Sequence, residues 1–573
     1  MQLQQGLKYL WKIPTIARKK VLEIASTYSL AIPLAQTLLA RGYVTDEMIT
    51  GFLFSSFEKD VASSALLKDA QKAVDRIMFA IERKEKILIF GDYDVDGITS
   101  SSLMMACLLP LGAQVNFYLP HRAKEGYGLS TQVVNRAADN GYKIIITVDN
   151  GTAAFEPALV AKQRGIDLII TDHHRPHDHL PEAFALVNPH QGDCAYPFKD
   201  FAGVGVTFKL LSLLYEKKGL SLPEKAYELL LLGTVADVVP LLGENRFWVR
   251  HGLRWIQERN TLSLSVLKSN AKVTKQKLSA TDIGYRITPQ INALGRLEDP
   301  RQGVKFLLGS DVKETEQVGK ILYELNEARK QIERVIFEDV QSCIAQGQIN
   351  IQNELVLMAG GKDWAPGVIG LVASRFVGAY GKPVLLFHLT AKGKAKGSCR
   401  SIEGLNIFEA LQDQAHLLDQ FGGHAMAAGL ALDQDNLPKL KEGLESYVAA
   451  RLSPDDLKQK LVCDAEISLP EVDRKLLQDM EFFEPFGAQN PQPLFHVKQV
   501  TLAQPAQLLK DEHVKCLLFA EGVIKPVIFF KRPDIYEALQ RHTDAPFDLV
   551  VQVTENEWQG RSNVELIGLD IAL

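Results

Sequence analysis

A short apolar run followed by an acidic turn constrains this chain more than any other feature of its sequence. Residues 87–90 are Ile-Leu-Ile-Phe, and residues 91–97 are Gly-Asp-Tyr-Asp-Val-Asp-Gly. Four consecutive apolar residues predict a strand buried on both faces, as in a parallel sheet. The small hydroxylated residues at 99–102 can open a helix that runs to Leu111. Because ligands of open α/β sheets bind beyond the carboxyl ends of the strands, we expect a site at this turn.

The three aspartates of the turn, Asp92, Asp94 and Asp96, alternate along the chain. Carboxylates this close raise one another's pKa unless a cation neutralises them, so the turn predicts a divalent metal site. An EF-hand is excluded because its twelfth position would be Leu103, where a bidentate glutamate is required. The turn also lacks the Gly-Lys-Ser/Thr ending of a P-loop and the glycine spacing of a dinucleotide fingerprint. A solvated acidic turn stays open as the alternative.

Length and composition bound the class of protein. A chain of 573 residues is too long for one core and should form about three or four domains. Its formal net charge of -5 argues against a uniformly basic nucleic-acid binder, so a polyanion site would be a local patch. The six cysteines form no Cys-x-x-Cys pair, which favours reduced thiols. With neither a signal-like N-terminus nor a membrane-length apolar stretch, we expect a cytoplasmic protein without membrane contact.

Strand-like runs alternate with helix-length segments after the first strand. Further strands are expected at 115–119, 144–148, 168–170 and 185–187. This alternation predicts a parallel, doubly wound α/β sheet. Polar residues follow the strand ends, namely His121, Arg122, Asp149, Asp172, His173 and His174. A loop or a helix cap explains each of them singly, but their common edge of one sheet favours a site.

Two further candidates come later in the chain. Asp237 lies in the apolar helical segment 229–240, where a carboxylate needs a partner or a metal unless it caps the helix end. Segment 289–296, which contains Asn292 and Arg296, is expected to be a polar loop.

The second half of the chain predicts two more folded parts. Residues 312–346 predict one long amphipathic helix, a natural domain connector, and strands at 354–358 and 383–387 begin a second α/β unit. In that unit Ser398 and Arg400 lie in an expected glycine-flanked basic loop, followed by His424, and these donors suit a phosphate oxygen. A basic hairpin without function is the alternative. From about residue 462, short strands predict a small barrel such as an OB-fold, with a sandwich still open.

Together these motifs resemble those of the DHH phosphoesterase superfamily. The matching segments are 91–97, 120–122, 149–151, 172–174 and Asp237, and 422–429 resembles the motif of the associated second domain, DHHA1. The resemblance covers nearly the whole chain. With its helical lead-in, long connector and C-terminal barrel, the chain is similar to the single-strand-specific 5′ to 3′ DNA exonucleases of this superfamily. Many members carry a histidine where this chain has Asp92, so Asp92 either binds a metal directly or supports the ligands.

The resemblance implies a parallel-sheet DHH domain joined by a long helix to a DHHA1-type α/β domain, plus a small OB-like β-barrel. The implied boundaries are a helical lead-in at 1–65, the DHH catalytic domain at 66–265, a helical connector at 266–346, the DHHA1-type substrate-binding domain at 347–455 and the OB-like domain at 456–573.

The resemblance also implies a site for two Mn²⁺ or Mg²⁺ ions that hydrolyses phosphodiesters, and mixed carboxylate and imidazole ligands suit Mn²⁺. The implied metal ligands are Asp92, Asp94, Asp96, Asp149, His173 and Asp237, with Asp149 as the bridge. His121 and His174 would contact phosphate or orient ligands. The implied substrate contacts are Arg122, Asn292, Arg296, Ser398, Arg400 and His424, the last four at a 5′-phosphate.

The expected function is exonucleolytic degradation of single-stranded DNA from the 5′ end, in DNA repair and recombination. The expected partners are single-stranded DNA, a single-strand-binding protein and a helicase, and the expected state is a monomer. A DHH phosphodiesterase for short oligoribonucleotides or cyclic dinucleotides is the alternative, although the extra barrel argues against it. Relatives that act as binding scaffolds have lost the carboxylates that this chain keeps, so we expect an enzyme.

Overall fold

The computed structural model describes residues 1–122, 124–259, 261–275, 277–542, 545–558 and 561–573. The chain forms two compact units. The first unit contains Asp46–Glu327 and Phe483–Gln492, and the second unit contains Met1–Thr45, Ala328–Phe482 and Pro493–Leu573. Within the described residues no helix combines the length and the apolar character that crossing a membrane requires.

The N-terminal segment corrects the expectation of an all-helical lead-in, because it begins with a β-hairpin. Its elements are β1 (Gln2–Gln5), β2 (Leu10–Ile13), α1 (Arg18–Tyr28), α2 (Ile32–Ala40), α3 (Asp46–Leu53) and α4 (Phe57–Asp60). Strand β2 pairs in parallel with residues 460–462, near the other end of the sequence. Because the partner of this strand is so distant in sequence, the local residue pattern gives little indication that the strand forms.

A five-stranded parallel sheet forms the centre of the first unit. Its elements are α5 (Ala70–Arg83), β3 (Lys86–Phe90), α6 (Val95–Leu108), β4 (Gln114–Tyr118), α7 (Thr131–Asp139), β5 (Tyr142–Val148), α8 (Phe155–Gln163), β6 (Asp167–Thr171) and β7 (Ala185–Val187). The strand order is β4-β3-β5-β6-β7, and all pairs are parallel. The expected doubly wound sheet is therefore confirmed.

Both faces of this sheet are buried, as the continuous apolar runs predict. Ile87 and Ile89 point into a core shared with α5 and α6, whereas Leu88 and Phe90 point into a second core shared with α7 and α8. Burying alternate side chains on opposite faces holds β3 in the middle of the unit. The turn that follows β3 is thereby fixed at the carboxyl edge of the sheet.

Helices complete the first unit and lead out of it. They are α9 (Gly203–Lys217), α10 (Lys225–Ala236), α11 (Gly243–Glu258), α12 (Leu262–Asn270), α13 (Ala280–Asp282), a π-helical turn at Ile283–Ile287, α14 (Thr288–Leu297), α15 (Arg301–Leu308) and the long α16 (Val312–Ala345). The expected long helix is confirmed. The expected polar loop at 289–296 is wrong, because Pro289 stands at the start of α14, where a helix tolerates proline.

The second unit contains a mixed five-stranded sheet of order β11-β12-β10-β9-β8. Its elements are β8 (Leu357–Gly361), α17 (Ile369–Tyr380), β9 (Val384–Leu389), β10 (Lys394–Arg400), α18 (Ile407–Asp413), β11 (Gln420–His424), β12 (Ala427–Asp433) and α19 (Leu437–Ala449). The expected loop around Ser398 and Arg400 is wrong, because both residues belong to β10, which pairs with β9 and β12. Strand β8 also begins three residues later than the expected strand at 354–358.

The C-terminal segment forms a closed five-stranded barrel. Its elements are β13 (Lys460–Val462), β14 (Ala465–Glu466), α20 (Arg474–Met480), β15 (Phe495–Leu509), β16 (His513–Ala520), β17 (Val523–Phe529), α21 (Pro533–Arg541), β18 (Phe547–Trp558) and β19 (Arg561–Ala572). Strands β15, β16, β17, β19 and β18 pair in that order, and β18 pairs back to β15. This closure confirms the OB-like barrel over a sandwich.

Candidate metal centre and active site

A cleft of about 310 Å³ lies beyond the carboxyl ends of the parallel strands of the first unit. The residues that line it are Asp92, Tyr93, Asp94, Arg122, Tyr127, Asp149, His174, Asp237, Asn292 and Arg296. The sequence analysis predicts most of these residues as site residues. They come from positions between 92 and 296 of the chain, and the fold brings them together at one edge of the sheet.

The turn after β3 contributes its aspartates through the start of α6. The Asp94 carboxylate caps this helix by accepting a hydrogen bond from the Gly97 N–H at 3.1 Å. The helix therefore begins at Val95, four residues before the expected start at 99, because the Asp94 side chain caps it ahead of the hydroxylated residues. Asp96 is fully buried and accepts hydrogen bonds from the N–H groups of Gly203 and Val204, at 2.6 and 2.8 Å. The N-terminus of α9 thus fixes the Asp96 carboxylate.

Asp149 follows β5 in a left-handed backbone conformation, with φ at 62°. Its N–H donates to the carbonyl of Thr171 at 3.0 Å. A Cβ atom at Gly203 would lie 2.6 Å from the Asp149 Cβ, so only glycine lets α9 approach this side chain. The aspartate is therefore held rigidly at the centre of the cleft.

His173 lies among three of the carboxylates. Its Nε2 atom lies 3.2 Å from Asp149 Oδ1, 3.7 Å from Asp237 Oδ2 and 4.0 Å from Asp96 Oδ2. Three sets of potential ligand atoms fall within 4.8 Å of one another, namely Asp92, Asp94 and Asp149; Asp149, His173 and His174; and Asp96, His173 and Asp237. Asp149 belongs to two of these sets, as a bridging ligand would.

The protonation of these groups fits a metal centre. Burial, together with the charge of neighbouring carboxylates, raises the pKa of Asp149 and Asp237 well above the usual range, and that of Asp96 to about 7. Burial lowers the pKa of His173 to about 4, which keeps the imidazole neutral, as a metal ligand must be. Asp92 Oδ1, Asp149 Oδ1 and His173 Nε2 are buried atoms without a hydrogen-bond partner in the described structure. Buried carboxylate oxygens and an imidazole nitrogen that lack a hydrogen-bond partner fit Mn²⁺ or Mg²⁺.

Asp172 is the supporting residue that the sequence-based list of site residues omits. Its buried carboxylate accepts hydrogen bonds from the N–H groups of Thr152 and His173, both within 2.9 Å, and lies 2.8 Å from His174 Nδ1. Burial alone would raise the pKa of Asp172, but the hydrogen bond with His174 and the charge of that histidine lower it below the usual range. The same contact outweighs the effect of burial on His174 and raises its pKa. The sequence signal that points to Asp172 is its position directly before the two histidines at 173 and 174.

Aromatic and basic side chains surround the carboxylates. The Arg122 guanidinium lies 5.0 Å from the centre of the Tyr93 ring, and the Tyr127 hydroxyl lies 3.4 Å from the carbonyl oxygen of Asp149. Neither tyrosine is among the site residues predicted from the sequence. The neighbouring His121 donates its backbone N–H to Glu125, and its expected phosphate contact stays a prediction.

Helix α14 brings Asn292 and Arg296 to the cleft from one face, since they lie four residues apart. A Cβ atom at Gly295 would lie 2.0 Å from the Tyr93 carbonyl oxygen. Glycine therefore allows the helix to pack directly on the turn after β3. The two side chains reach the cleft as expected, but from a helix and not from a loop.

The remaining expected substrate contacts lie together in the second unit. Arg400 Nη1 donates to Ser398 Oγ, and Arg400 Nε donates to Ser374 Oγ, both at 3.1 Å. His424 and Arg400 both pair with Ala427, so they lie in one row of the sheet about 10 Å apart. A Cβ atom at Gly370, in the first turn of α17, would lie 2.9 Å from Arg400 Nη2. The three predicted residues thus share one polar face beside a helix N-terminus, and their contact with a 5′-phosphate stays a prediction.

Family models match three segments of the chain. The N-terminal domain of the DHH family matches residues 86–234, the DHHA1 domain matches 351–450 and the RecJ OB domain matches 463–570. These segments correspond to the parallel-sheet core of the first unit, the mixed sheet of the second unit and the barrel.

Curated relatives extend the match over nearly the full sequence. The single-stranded-DNA-specific exonuclease RecJ of Bacillus subtilis is 34% identical over 568 residues, which are 99% of this chain and 71% of that protein. RecJ of Escherichia coli is 34% identical over 476 residues, which are 80% of this chain and 82% of that protein.

Solved structures agree with these relatives. The crystal structure of Thermus thermophilus RecJ in complex with Mn²⁺ matches with a TM-score of 0.83 and 26% identity, over 98% of this chain and 79% of that chain. A crystal structure of exonuclease RecJ bound to manganese is 32% identical, with a TM-score of 0.59, over 68% of this chain and 96% of that chain. The domain matches and the relatives agree, and the chain belongs to the RecJ family.

Proposed function

We propose that this chain is a Mn²⁺- or Mg²⁺-dependent exonuclease that degrades single-stranded DNA from the 5′ end. The observation that carries the proposal is the preserved donor set in the cleft, where His173 Nε2 lies within 4.0 Å of carboxylate oxygens from Asp96, Asp149 and Asp237. The relatives that match across the sequence are named single-stranded-DNA-specific exonucleases. Matching structures of RecJ contain Mn²⁺ or Mg²⁺.

Two cations would share the cleft. Asp92, Asp94 and Asp149 would hold one ion, and His173, Asp96 and Asp237 would hold the other, with Asp149 between them. When bound, such ions supply Lewis-acid activation of the attacking water and of the phosphodiester. Among the six donors, the carboxylate of Asp94 also caps α6, so its orientation is fixed before any ion binds.

The other residues of the cleft would bind and orient the phosphodiester. Asp172 stabilises the protonated form of His174, which places a positive charge at the edge of the cleft. Arg122 and Arg296 offer charged N–H donors to the non-bridging phosphate oxygens, and charge-assisted hydrogen bonds are the stronger kind. These groups fix the scissile bond relative to the donor set without reading the base.

The direction of degradation would come from the polar face formed by Ser398, Arg400 and His424. A 5′-terminal phosphate carries more negative charge than an internal phosphodiester, so a face with a guanidinium group beside a helix N-terminus favours it. The face therefore supports 5′ to 3′ polarity over the reverse direction.

The proposal includes a cellular setting. The enzyme would act as a monomer in the cytoplasm, in DNA repair and recombination, on strands unwound by a helicase and covered by single-strand-binding protein. The six free cysteines suit a reducing compartment. The named partners rest on the family resemblance.

A phosphodiesterase for short oligoribonucleotides or cyclic dinucleotides is less well supported. Such substrates do not extend beyond a small cleft, whereas this chain carries a closed barrel of a type that binds oligonucleotides along its surface. The barrel thus favours a long strand as substrate.

One panel of substrates tests the proposal. The protein is incubated with Mn²⁺ and, in separate reactions, long single-stranded DNA, the same sequence as a duplex, single-stranded RNA and a cyclic dinucleotide. We expect the protein to release mononucleotides from the single-stranded DNA faster than it hydrolyses any of the other substrates. Faster turnover of the dinucleotide, or a gel shift of DNA without products, would contradict it.

A further inference from the structure

Val238 has an unusual backbone conformation directly after a proposed metal ligand. Helix α10 ends at Ala236, and Asp237 continues the right-handed conformation with φ at -76° and ψ at -8°. The Asp237 N–H donates to the carbonyl of Gly233 at 3.0 Å, and Val238 then turns to a φ of 61°. Helices often end with one residue in this left-handed region, and that residue is usually glycine.

Valine is among the least suitable residues for this position. In the left-handed region a Cβ atom crowds the backbone, and a second branch at Cβ makes the crowding worse. Among the described residues, Val238 is the one β-branched residue with a positive φ. Glycine would form the same turn without the strain, so the fold itself gives no reason for the valine side chain.

The side chain is also not used in the core of the protein. Val238 is 69% exposed, so its isopropyl group lies mostly in solvent. The carboxylate of the preceding residue, Asp237, lines the metal cleft. A strained backbone and an exposed apolar group therefore occur at the residue directly after one that lines the proposed active site.

Asp149 provides a parallel within the same cleft. It too is a non-glycine residue in the left-handed region, and its side chain belongs to two of the ligand sets. Strain of this kind persists at functional sites where the side chain is needed in that orientation. For Val238, the only chemistry available is contact with an apolar surface.

We propose that Val238 is a substrate-contact residue whose isopropyl group packs against the nucleoside next to the phosphate in the metal cleft. The inference rests on the proposed function, because it takes the occupant of the cleft to be a nucleotide of a DNA strand. A sugar and the face of a base both offer apolar surface to such a group. An isopropyl group forms no hydrogen bonds with base edges, so the contact adds affinity without sequence preference.

The variant Val238→Gly separates a substrate contact from a structural role. Losing one apolar contact should lower kcat/KM on single-stranded DNA about three- to ten-fold, chiefly through a higher KM. Removing the strain should at the same time raise the midpoint of thermal unfolding by about 1–3 °C. Mn²⁺ affinity, measured by calorimetry, should stay at the wild-type value. Val238→Ile, which keeps the apolar group, should retain the wild-type KM.

Leu220→Ala is the matched control. Leu220 is 52% exposed and follows α9, about 20 Å along that helix from the end near the cleft. We expect it to leave KM unchanged.

Two results would overturn the assignment. One is an unchanged KM in Val238→Gly. The other is a loss of activity in this variant that is fully explained by weaker Mn²⁺ binding. If the wild-type protein hydrolyses a different phosphodiester and not single-stranded DNA, the proposed function fails instead. The comparison of Val238→Gly with wild type on the accepted substrate then still decides the role of Val238.

Discussion

Asp149 belongs to two of the three ligand sets of the cleft. Its carboxylate is held by a left-handed backbone and by the close approach of Gly203. Asp149→Asn removes the shared negative charge. We expect turnover to fall on the order of a hundred-fold or more and Mn²⁺ affinity to fall with it, since even supporting residues of metal sites contribute about 10- to 100-fold.

DNA binding should survive in Asp149→Asn, because the basic residues and the barrel are untouched. Asp193→Asn is the control, as Asp193 is a surface carboxylate that pairs with Lys68. Calorimetry with Mn²⁺ and a gel-shift assay on the same preparations measure the two effects. Wild-type turnover in Asp149→Asn would rule out the bridging role.

Asp172 acts through His174, and this gives a prediction about pH. His174 is charged below its raised pKa, so the contribution of the imidazolium is lost as pH rises through that value. Asp172→Asn removes the partner that raises the pKa. The alkaline limb of kcat should therefore move to lower pH, with a loss of about 10- to 100-fold at neutral pH. A loss of activity with an unmoved alkaline limb would assign Asp172 a purely structural role.

Arg400 gives a prediction about the end of the strand. A charged hydrogen bond to a terminal phosphate contributes about 1.5 to 3 kcal/mol, so Arg400→Ala should lose roughly ten- to a hundred-fold in kcat/KM on 5′-phosphorylated strands. On 5′-hydroxyl strands the loss should be much smaller. Lys392→Ala, in the exposed turn before β10, is the control. An equal loss on both substrates would make Arg400 a general backbone contact.

The sequence pattern predicts that the candidate ligands lie together, but it gives little information about the residues that support them. Asp92, Asp94 and Asp149 follow buried strands, and the carboxyl ends of parallel strands must meet at one edge, so their proximity followed from the pattern. The carboxylate of Asp172 contacts the N–H of Thr152 and the ring of His174, and these contacts depend on backbone geometry that spacing does not encode.

At the scale of elements, local signals predicted the parallel strands and the long helix but missed the elements defined by distant partners. The N-terminal hairpin is held by contacts with the barrel segment, including a 3.0 Å hydrogen bond from Trp11 Nε1 to the buried Asp570. Helix α14 was mistaken for a loop because its polar residues face the cleft. In both cases tertiary contacts outweigh local preference.

The barrel offers an exposed apolar pair for single-stranded DNA. Phe519 and Ile524 are cross-strand neighbours on β16 and β17, and they are 43% and 54% exposed. Stacking of a base contributes about 1–3 kcal/mol, so the double variant with alanine at both positions should bind long strands roughly 5- to 100-fold more weakly. Turnover of short strands should not change.

Point variants are preferable here to deletion of the barrel. Truncation after residue 455 would also remove β13 and Asp570, which hold β2 and Trp11. Leu3→Ala, on the exposed hairpin strand β1, serves as the control. Unchanged affinity for long strands in the double variant would exclude this surface from the DNA path.

At the scale of the whole molecule, the chain combines a carboxylate cleft, a polar face suited to a terminal phosphate and a barrel suited to a strand. The order of these parts was predictable, because the DHH, DHHA1 and OB segments each carry their own motifs or strand pattern. The division into two units, with residues 1–45 in the second, is not predictable from the sequence, since it depends on pairing between β2 and β13, which lie far apart in the chain.

In the proposed function, the carboxylate cleft hydrolyses single-stranded DNA progressively from the 5′ end. The most direct measurement is a time course with Mn²⁺ on one 5′-phosphorylated strand, labelled at the 5′ end in one reaction and at the 3′ end in another. We predict immediate release of the 5′ label as a mononucleotide, while the 3′-labelled strand shortens step by step. Early release of the 3′ label, or internal cuts in both reactions, would contradict the account.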